Sequence, residues 1–185
     1  MALDIARLLE LTLYQALDVD AADRVLAGSD ASGTFQLTEL LPDGSSVALT
    51  ALPSACTGRY LPGQRAVVVS HDTDGDERHQ LSLLRLPVPA GQPARLDDLE
   101  PLVRDPQFIH RLADVQAGRI CYLTNRRNGV NFDAVVRDLA AGTEQVIEVG
   151  DGSIDEAVLS PDGRWLALTA PSVTAANSEQ VLLTR

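Results

Sequence analysis

The chain has 185 residues, 45% of them apolar and 22% charged, and a formal net charge of -11. That balance excludes a nucleic-acid-binding face, which needs concentrated positive charge to neutralise phosphates. No segment approaches the roughly 20 apolar residues that would cross a bilayer as a helix. All of the positive charge is arginine, a side chain suited to fixed bidentate pairs but more commonly spread over the surface.

In chain order, Ala2 to Leu17 reads as the one helix: Ile5, Leu8, Leu9, Leu13, Ala16 and Leu17 recur at three- and four-residue spacing. Residues 1–20 are therefore expected to form an amphipathic N-terminal element, capping a sheet edge or docking on a separate domain. Asp4, Arg7 and Glu10 interrupt the apolar residues and no cleavage site follows a basic start, so no secretory signal is read and a cytoplasmic location is the expectation. Cys56 and Cys121 stand apart inside apolar stretches, as buried free thiols do.

From residue 21 onward the pattern is short strands between Gly, Pro, Asp and Asn. Arg24 to Gly28, Thr34 to Leu41 and Ser46 to Leu52 form a three-stranded meander that lacks its first strand. Ala55 to Leu61, Arg65 to Ser70, Gln80 to Leu86 and Arg95 to Leu99 make four strands, as do Ile109 to Val115, Arg119 to Thr124, Phe132 to Leu139 and Glu144 to Val149. Ile154 to Leu159, Arg164 to Thr169 and Glu179 to Thr184 make three.

Ser160-Pro161-Asp162-Gly163 sets the register. Pro161 fixes φ at the first corner of a turn and Gly163 supplies the left-handed residue from which the chain re-enters a strand. Related pieces at Tyr60 to Ser70 and Val115 to Asn125 give a period of about 45 to 55 residues, the mark of a repeat array. The expected fold is all-β: residues 21–185 as a partial β-propeller of about four four-stranded antiparallel blades, the first and last incomplete. Such an array leaves open edges and apolar faces. It is expected to be a piece of a longer protein, a ring completed as a homo-oligomer, or a small open assembly of sheets.

The loops after each second strand carry a family resemblance. His71-Asp72-Thr73-Asp74-Gly75-Asp76-Glu77-Arg78, then Thr124-Asn125-Arg126-Arg127-Asn128-Gly129-Val130-Asn131, then Ser160-Pro161-Asp162-Gly163-Arg164-Trp165 resemble successive blades of the propeller in the prolyl oligopeptidase (S9) family, in its acylaminoacyl peptidase and dipeptidyl aminopeptidase-like branch. The Ser-Pro-Asp-Gly turn also marks the repeats of periplasmic TolB-like proteins. What the S9 resemblance implies is a two-domain serine hydrolase in which the propeller gates substrate access to a catalytic α/β-hydrolase domain. That domain and the remaining blades would be the partners of this chain, with peptide as the parent enzyme's substrate. The TolB-like alternative is a protein-binding propeller without enzymatic activity.

No catalytic residue is assigned. Neither Gly28-Ser29-Asp30-Ala31-Ser32-Gly33 nor Gly150-Asp151-Gly152-Ser153 has the spacing of a Gly-x-Ser-x-Gly nucleophile elbow, and three histidines, His71, His79 and His110, combine with Ser and Asp by chance. No metal or other cofactor is assigned either. Asp72, Asp74, Asp76 and Glu77 offer oxygen ligands, but Gly75 is fourth rather than sixth and strands flank the loop, unlike a calcium-binding EF-hand. The candidate rim or domain-interface contacts are Asp72, Asp74, Asp76, Glu77, Arg126 and Arg127. The two arginines are expected to pair with the acidic loop of the preceding blade, or to meet a substrate carboxylate or an acidic face of a partner domain. Trp165 is expected to pack between blades.

Overall fold

The computed structural model describes residues 11–89, 91–116, 118–148, 152–171 and 178–184. They form four antiparallel sheets, each a meander in strand order. Sheet 1 holds β1 (Tyr14–Val19), β2 (Val25–Ser29), β3 (Gln36–Leu40) and β4 (Ser46–Ala48), and sheet 2 holds β5 (Cys56–Tyr60), β6 (Ala66–His71), β7 (Gln80–Arg85) and β8 (Glu100–Val103). Sheet 3 holds β9 (His110–Gln116), β10 (Arg119–Thr124), β11 (Asp133–Asp138) and β12 (Glu144–Ile147). Sheet 4 holds β13 (Glu156–Leu159), β14 (Trp165–Pro171) and β15 (Ser178–Thr184).

Two sequence expectations are corrected. Among the described residues there is no α-helix: Tyr14–Val19, expected in a helix, is the first strand of sheet 1, the very strand that appeared to be missing. A bulge contributes to the misreading. The register of β1 on β2 slips between Ala16 and Asp18, and the extra residue breaks the two-residue alternation just where Ala16 and Leu17 end the apolar stripe. The expected helix over residues 1–10 lies outside the described residues. Arg95 to Leu99, read as a strand, contains instead a single 3-10 turn (Leu96–Asp98), and the fourth strand of sheet 2 follows it. Asp97 and Asp98, poor strand formers, favour such a turn.

Each pair of neighbouring sheets encloses its own apolar layer. Leu26, Leu37 and Leu49 of the first sheet region meet Cys56, Val67 and Val69 of the second. Ala66, Val68 and Leu81 meet Val115, Ile120 and Tyr122, and Cys121, Leu123 and Val136 meet Ala157, Leu159 and Leu168. The strands of each sheet thus alternate between a face turned to the sheet before and a face turned to the sheet after. First strands lie next to one another, β1 by β5, β5 by β9 and β9 by β13, so the sheets radiate from their first strands as propeller blades do.

Polar devices fix these junctions. The bulges of β1 and β9 aim a carboxylate across the gap. Asp18 accepts the Val19 amide on Oδ1 at 2.8 Å and the Tyr60 amide of the next sheet on Oδ2 at 2.9 Å. Asp114 repeats the arrangement with Val115 and Leu159, both at 2.8 Å. At the other end, Gln36 donates to the Leu52 and Ser54 carbonyls and accepts the Leu52 amide, clamping the link between sheets. Gln80, at the same place in sheet 2, does the same to Asp105 and Phe108.

Two substitutions test this packing. Asp114→Ala leaves two amides without their acceptor and is expected to cost about 2 to 6 kcal/mol in urea unfolding, at about 1 to 3 kcal/mol per unsatisfied buried group. Gly58 has no room for a side chain, since a Cβ would stand 2.8 Å from the Val68 carbonyl oxygen and 2.9 Å from Val67 Cγ1. Gly58→Ala is expected to lower Tm, whereas alanine at Ser32, an exposed loop residue, is expected to leave it nearly unchanged.

Candidate binding groove on the inner strands

The loops that follow the second strands lie at one end of the sheets, and their side chains are largely turned inward on the loops themselves. In the acidic loop, Asp72 Oδ2 accepts the Glu77 amide at 3.1 Å, Asp76 Oδ1 accepts the Arg78 amide at 3.0 Å, and Ser54 Oγ accepts the Gly75 amide. Asp74, Asp76 and Glu77 are exposed. Asp74, Gly75 and Glu77 all have positive φ, a tightly wound turn in which the short acidic side chains serve as local acceptors. Among the described residues, no three His, Cys, Asp or Glu side chains converge so as to hold a metal ion.

Arg126 and Arg127 do not reach back to that loop in any ion pair the structure shows. Arg126 Nη2 lies 3.1 Å from Glu144 Oε2, and Arg127 Nε lies 3.1 Å from Asp133 Oδ1, both partners in the same sheet as the arginines. The expected inter-blade ion-pair belt is thus corrected, and the reason is positional. Asp133 begins β11 just as Gln36 begins β3 and Gln80 begins β7. It holds Arg127, whose Nη2 donates to the Gly152 carbonyl at 2.9 Å. An acid and a guanidinium together reproduce the amide clamp of the other sheets.

The histidines are also absorbed by the fold. His71 Nε2 stands 2.9 Å from Ser82 Oγ, a distance found between base and nucleophile. Both residues are buried, and His71 Nδ1 has no hydrogen-bond partner to orient the ring. His110 packs edge-on against Tyr122 with centroids 5.8 Å apart. Burial pushes both imidazoles below their ordinary value of 6.5.

Carboxylates elsewhere are engaged as well. Glu39 receives the Tyr60 hydroxyl at 2.7 Å and a bidentate fork from Arg65 at 2.8 and 3.0 Å, linking sheets 1 and 2. Burial pushes Glu39 up, but that fork and hydroxyl outweigh it and hold the carboxyl below its ordinary range. Tyr122, Arg126 and Arg137 surround Glu144 in the same fashion. A crevice of about 600 Å³ beside Glu39 and Arg65 is therefore lined by charges that are already paired.

Arg95, Arg104 and Arg164 are exposed and form no ion pair with a described residue, and two further arginines of that kind lie along the first strands. Arg59 on β5 and Arg111 on β9 are exposed and form no ion pair with a described residue. They line a groove of about 420 Å³ with Asp155 and Glu156, over an apolar floor that includes Leu112, Ala113 and Ala157. Arg111 is steadied by Phe132, whose ring centroid lies 3.9 Å from Cζ, a cation–π contact. The groove therefore offers two guanidinium groups, two carboxylates and a first-strand edge turned away from its sheet, an edge available to an extended chain. Sequence reading missed Arg59 and Arg111 because an arginine in an alternating strand looks like any solvated position. Only the radial order of the strands brings the two together.

No protein-family model matches the chain, and no curated protein matches it. Solved structures do. A protein of Agrobacterium tumefaciens assigned as TolB aligns with a TM-score of 0.65 at 17% identity, over 93% of this chain and 58% of its own. TolB from Acinetobacter baumannii gives 0.66 at 14% identity, over 91% and 40%. A puromycin hydrolase gives 0.49 at 16% identity, over 86% and 26%. The chain thus spans 58% and 40% of the two TolB structures it resembles, and the likeness establishes the fold: the four sheets are blades of a β-propeller.

The pH dependence of stability follows from the buried groups. Unfolded, His71 and His110 titrate near 6.5; folded, they titrate lower. Stability is therefore full above that value and falls as the pH drops below it, where the unfolded chain takes up protons that the folded chain refuses. Glu39 and Glu144, held below their ordinary 4.5, add a second loss at more acid pH, as the pH falls through their folded values. Urea midpoints are expected to drop between about pH 7 and 5 and to drop further below about pH 4.5; a midpoint that stays level to pH 5 would contradict the assignment of neutral buried histidines.

Proposed function

We propose that this chain is a non-catalytic β-propeller segment that binds an extended peptide of mixed charge along its first strands. The observation that carries this reading is that Arg59 and Arg111, which form no ion pair with a described residue, line one groove together with Asp155 and Glu156. An extended peptide presents backbone amides and carbonyls to a strand edge and alternate side chains to the charges on either side. Arginine forks would take its Asp or Glu side chains or its terminal carboxylate, and Asp155 and Glu156 its basic groups.

A more specific reading, supported by the resemblance of the Asp72–Glu77 and Asn125–Asn131 loops to the S9 propeller, makes the segment the substrate-access gate of a serine peptidase. In that reading Asp74, Asp76 and Glu77 face the hydrolase domain, and the peptide in the groove is substrate on its way to the catalytic site. The protein-binding reading, supported by the TolB-like fold neighbours, makes the peptide a segment of another protein. Both readings place the chemistry, where there is any, outside this chain.

The test uses a fluorescein-labelled peptide alternating Glu and Lys with apolar residues, followed by anisotropy with the purified chain. Arg59→Ala and Arg111→Ala are each expected to weaken binding about 10-fold or more, since hydrogen bonds to charged groups are worth about 1.5 to 3 kcal/mol, and added salt is expected to weaken it further. Binding that neither substitution changes would place the site elsewhere. The purified chain is expected to leave aminoacyl and acyl-aminoacyl chromogenic substrates intact, and their hydrolysis would overturn the non-catalytic assignment.

A further inference from the structure

Aligning the sheets by register gives one position a special meaning. Asp18, Arg59, Asp114 and Val158 occupy the same place near the end of each first strand, one residue before the amides of Val19, Tyr60, Val115 and Leu159. The later member of each pair faces the preceding sheet, as shown by Tyr60 reaching Glu39 of sheet 1 and by Val115 and Leu159 in the layers beneath sheets 2 and 3. The earlier member faces the following sheet, as Asp18 and Asp114 do when they bind Tyr60 and Leu159.

The junctions are therefore of two kinds. Sheets 1 and 3 close onto sheets 2 and 4 through a carboxylate. Sheet 2 has Arg59 at that place, and the sheet packed on it needs no carboxylate from outside, because Val115 is already capped by its own Asp114 at 2.8 Å. Sheet 4 has Val158 at the place and so presents a face of this second kind. Val158 is 57% exposed and Trp165 40%, with Ala167 exposed beside them. The counterparts of Trp165 and Ala167 in the second strand of sheet 2, Ala66 and Val68, are 1% and 0% exposed because sheet 3 covers them.

A sheet fit to cover such a face has a bulged first strand, an aspartate that caps its own next amide, and an apolar residue after it. Sheet 1 has all three: Asp18 caps Val19 at 2.8 Å, and Val19, on the face turned away from sheet 2, is 59% exposed. We infer that the outer face of sheet 4 is a docking surface for sheet 1 of a second copy of this chain, with Val158 of one copy against Val19 of the other. The contact is heterologous, and two of them related by a two-fold axis close a ring of two four-sheet arcs, within the roughly four to eight blades of closed propellers.

Sedimentation equilibrium on the 185-residue chain tests this. A dimer is expected, and Val158→Asp and Val19→Asp, both at exposed positions, are each expected to weaken it more than about tenfold, the effect of an unpaired charge costing over about 1.4 kcal/mol at an interface, while Asp74→Ala on the distant loop leaves it unchanged. Mixing Val158→Cys with Val19→Cys under oxidising conditions is expected to give a disulfide-linked heterodimer that neither variant forms alone. A chain that remains monomeric at every concentration, or a dimer that survives both aspartate substitutions, would overturn the inference and leave the face for a sheet of another polypeptide.

Discussion

The arrangement of this molecule depends on how the first strand of one sheet is tied to the first strand of the next. Such a strand pairs on only one edge, and its outward amides need acceptors wherever two sheets close over them. A bulge solves this by turning an aspartate sideways, so that one oxygen satisfies its own neighbour and the other crosses the gap. The crossing bond fixes the separation of the sheets at their inner end. The apolar layers then fill a space whose width is already set, and Gly58, where a Cβ would stand 3.2 Å from Leu37 Cδ1 of sheet 1, shows how little slack that width leaves.

The same economy governs the polar groups farther out. A buried link between sheets leaves carbonyls to be satisfied, and the residue beginning the third strand satisfies them, as Gln36 and Gln80 directly or as Asp133 through Arg127. Glu39 and Glu144 each gather a tyrosine hydroxyl and arginines into a closed network. Arginine suits these places because its fork meets two oxygens at once. A chain with a surplus of acid thereby spends Arg24, Arg65, Arg126, Arg127 and Arg137 on structure, and leaves Arg59 and Arg111 without an ion pair to a described residue on the inner strands.

Much of the architecture is legible in the sequence. Turns such as Leu41 to Gly44 and Ser160 to Gly163 carry their conformation in Pro, Asp and Gly, and short apolar runs define β6, β10 and β14 closely. Where the signal fails, a specific feature interferes: the bulge in β1 disguises a strand as a helix, and the turn at Leu96–Asp98 delays β8. The ties between sheets are not legible at all. Asp18 and its partner Tyr60 are 42 residues apart, and Asp114 and Leu159 are 45 apart, and nothing local distinguishes these aspartates from the many that cap turns. The partners of Arg126 and Arg127 escape a sequence reading for a related reason. Charge and loop position are visible in a sequence, but the nearer acceptors Glu144 and Asp133 compete for a guanidinium only once β10, β11 and β12 are side by side.

The position that sets the junctions also sets where the groove opens. With aspartate there, the gap to the next sheet is bridged and the inner end is closed, as between sheets 1 and 2 and between sheets 3 and 4. With arginine there, in sheet 2, the next sheet caps its own amide, the gap carries no bridging carboxylate, and a guanidinium is left facing open space beside Arg111. Structure and the proposed binding thus draw on one position with opposite signs of charge. A propeller in which every first strand carried the aspartate would be more tightly joined, but it would lose Arg59, one of the two guanidinium groups that line the groove.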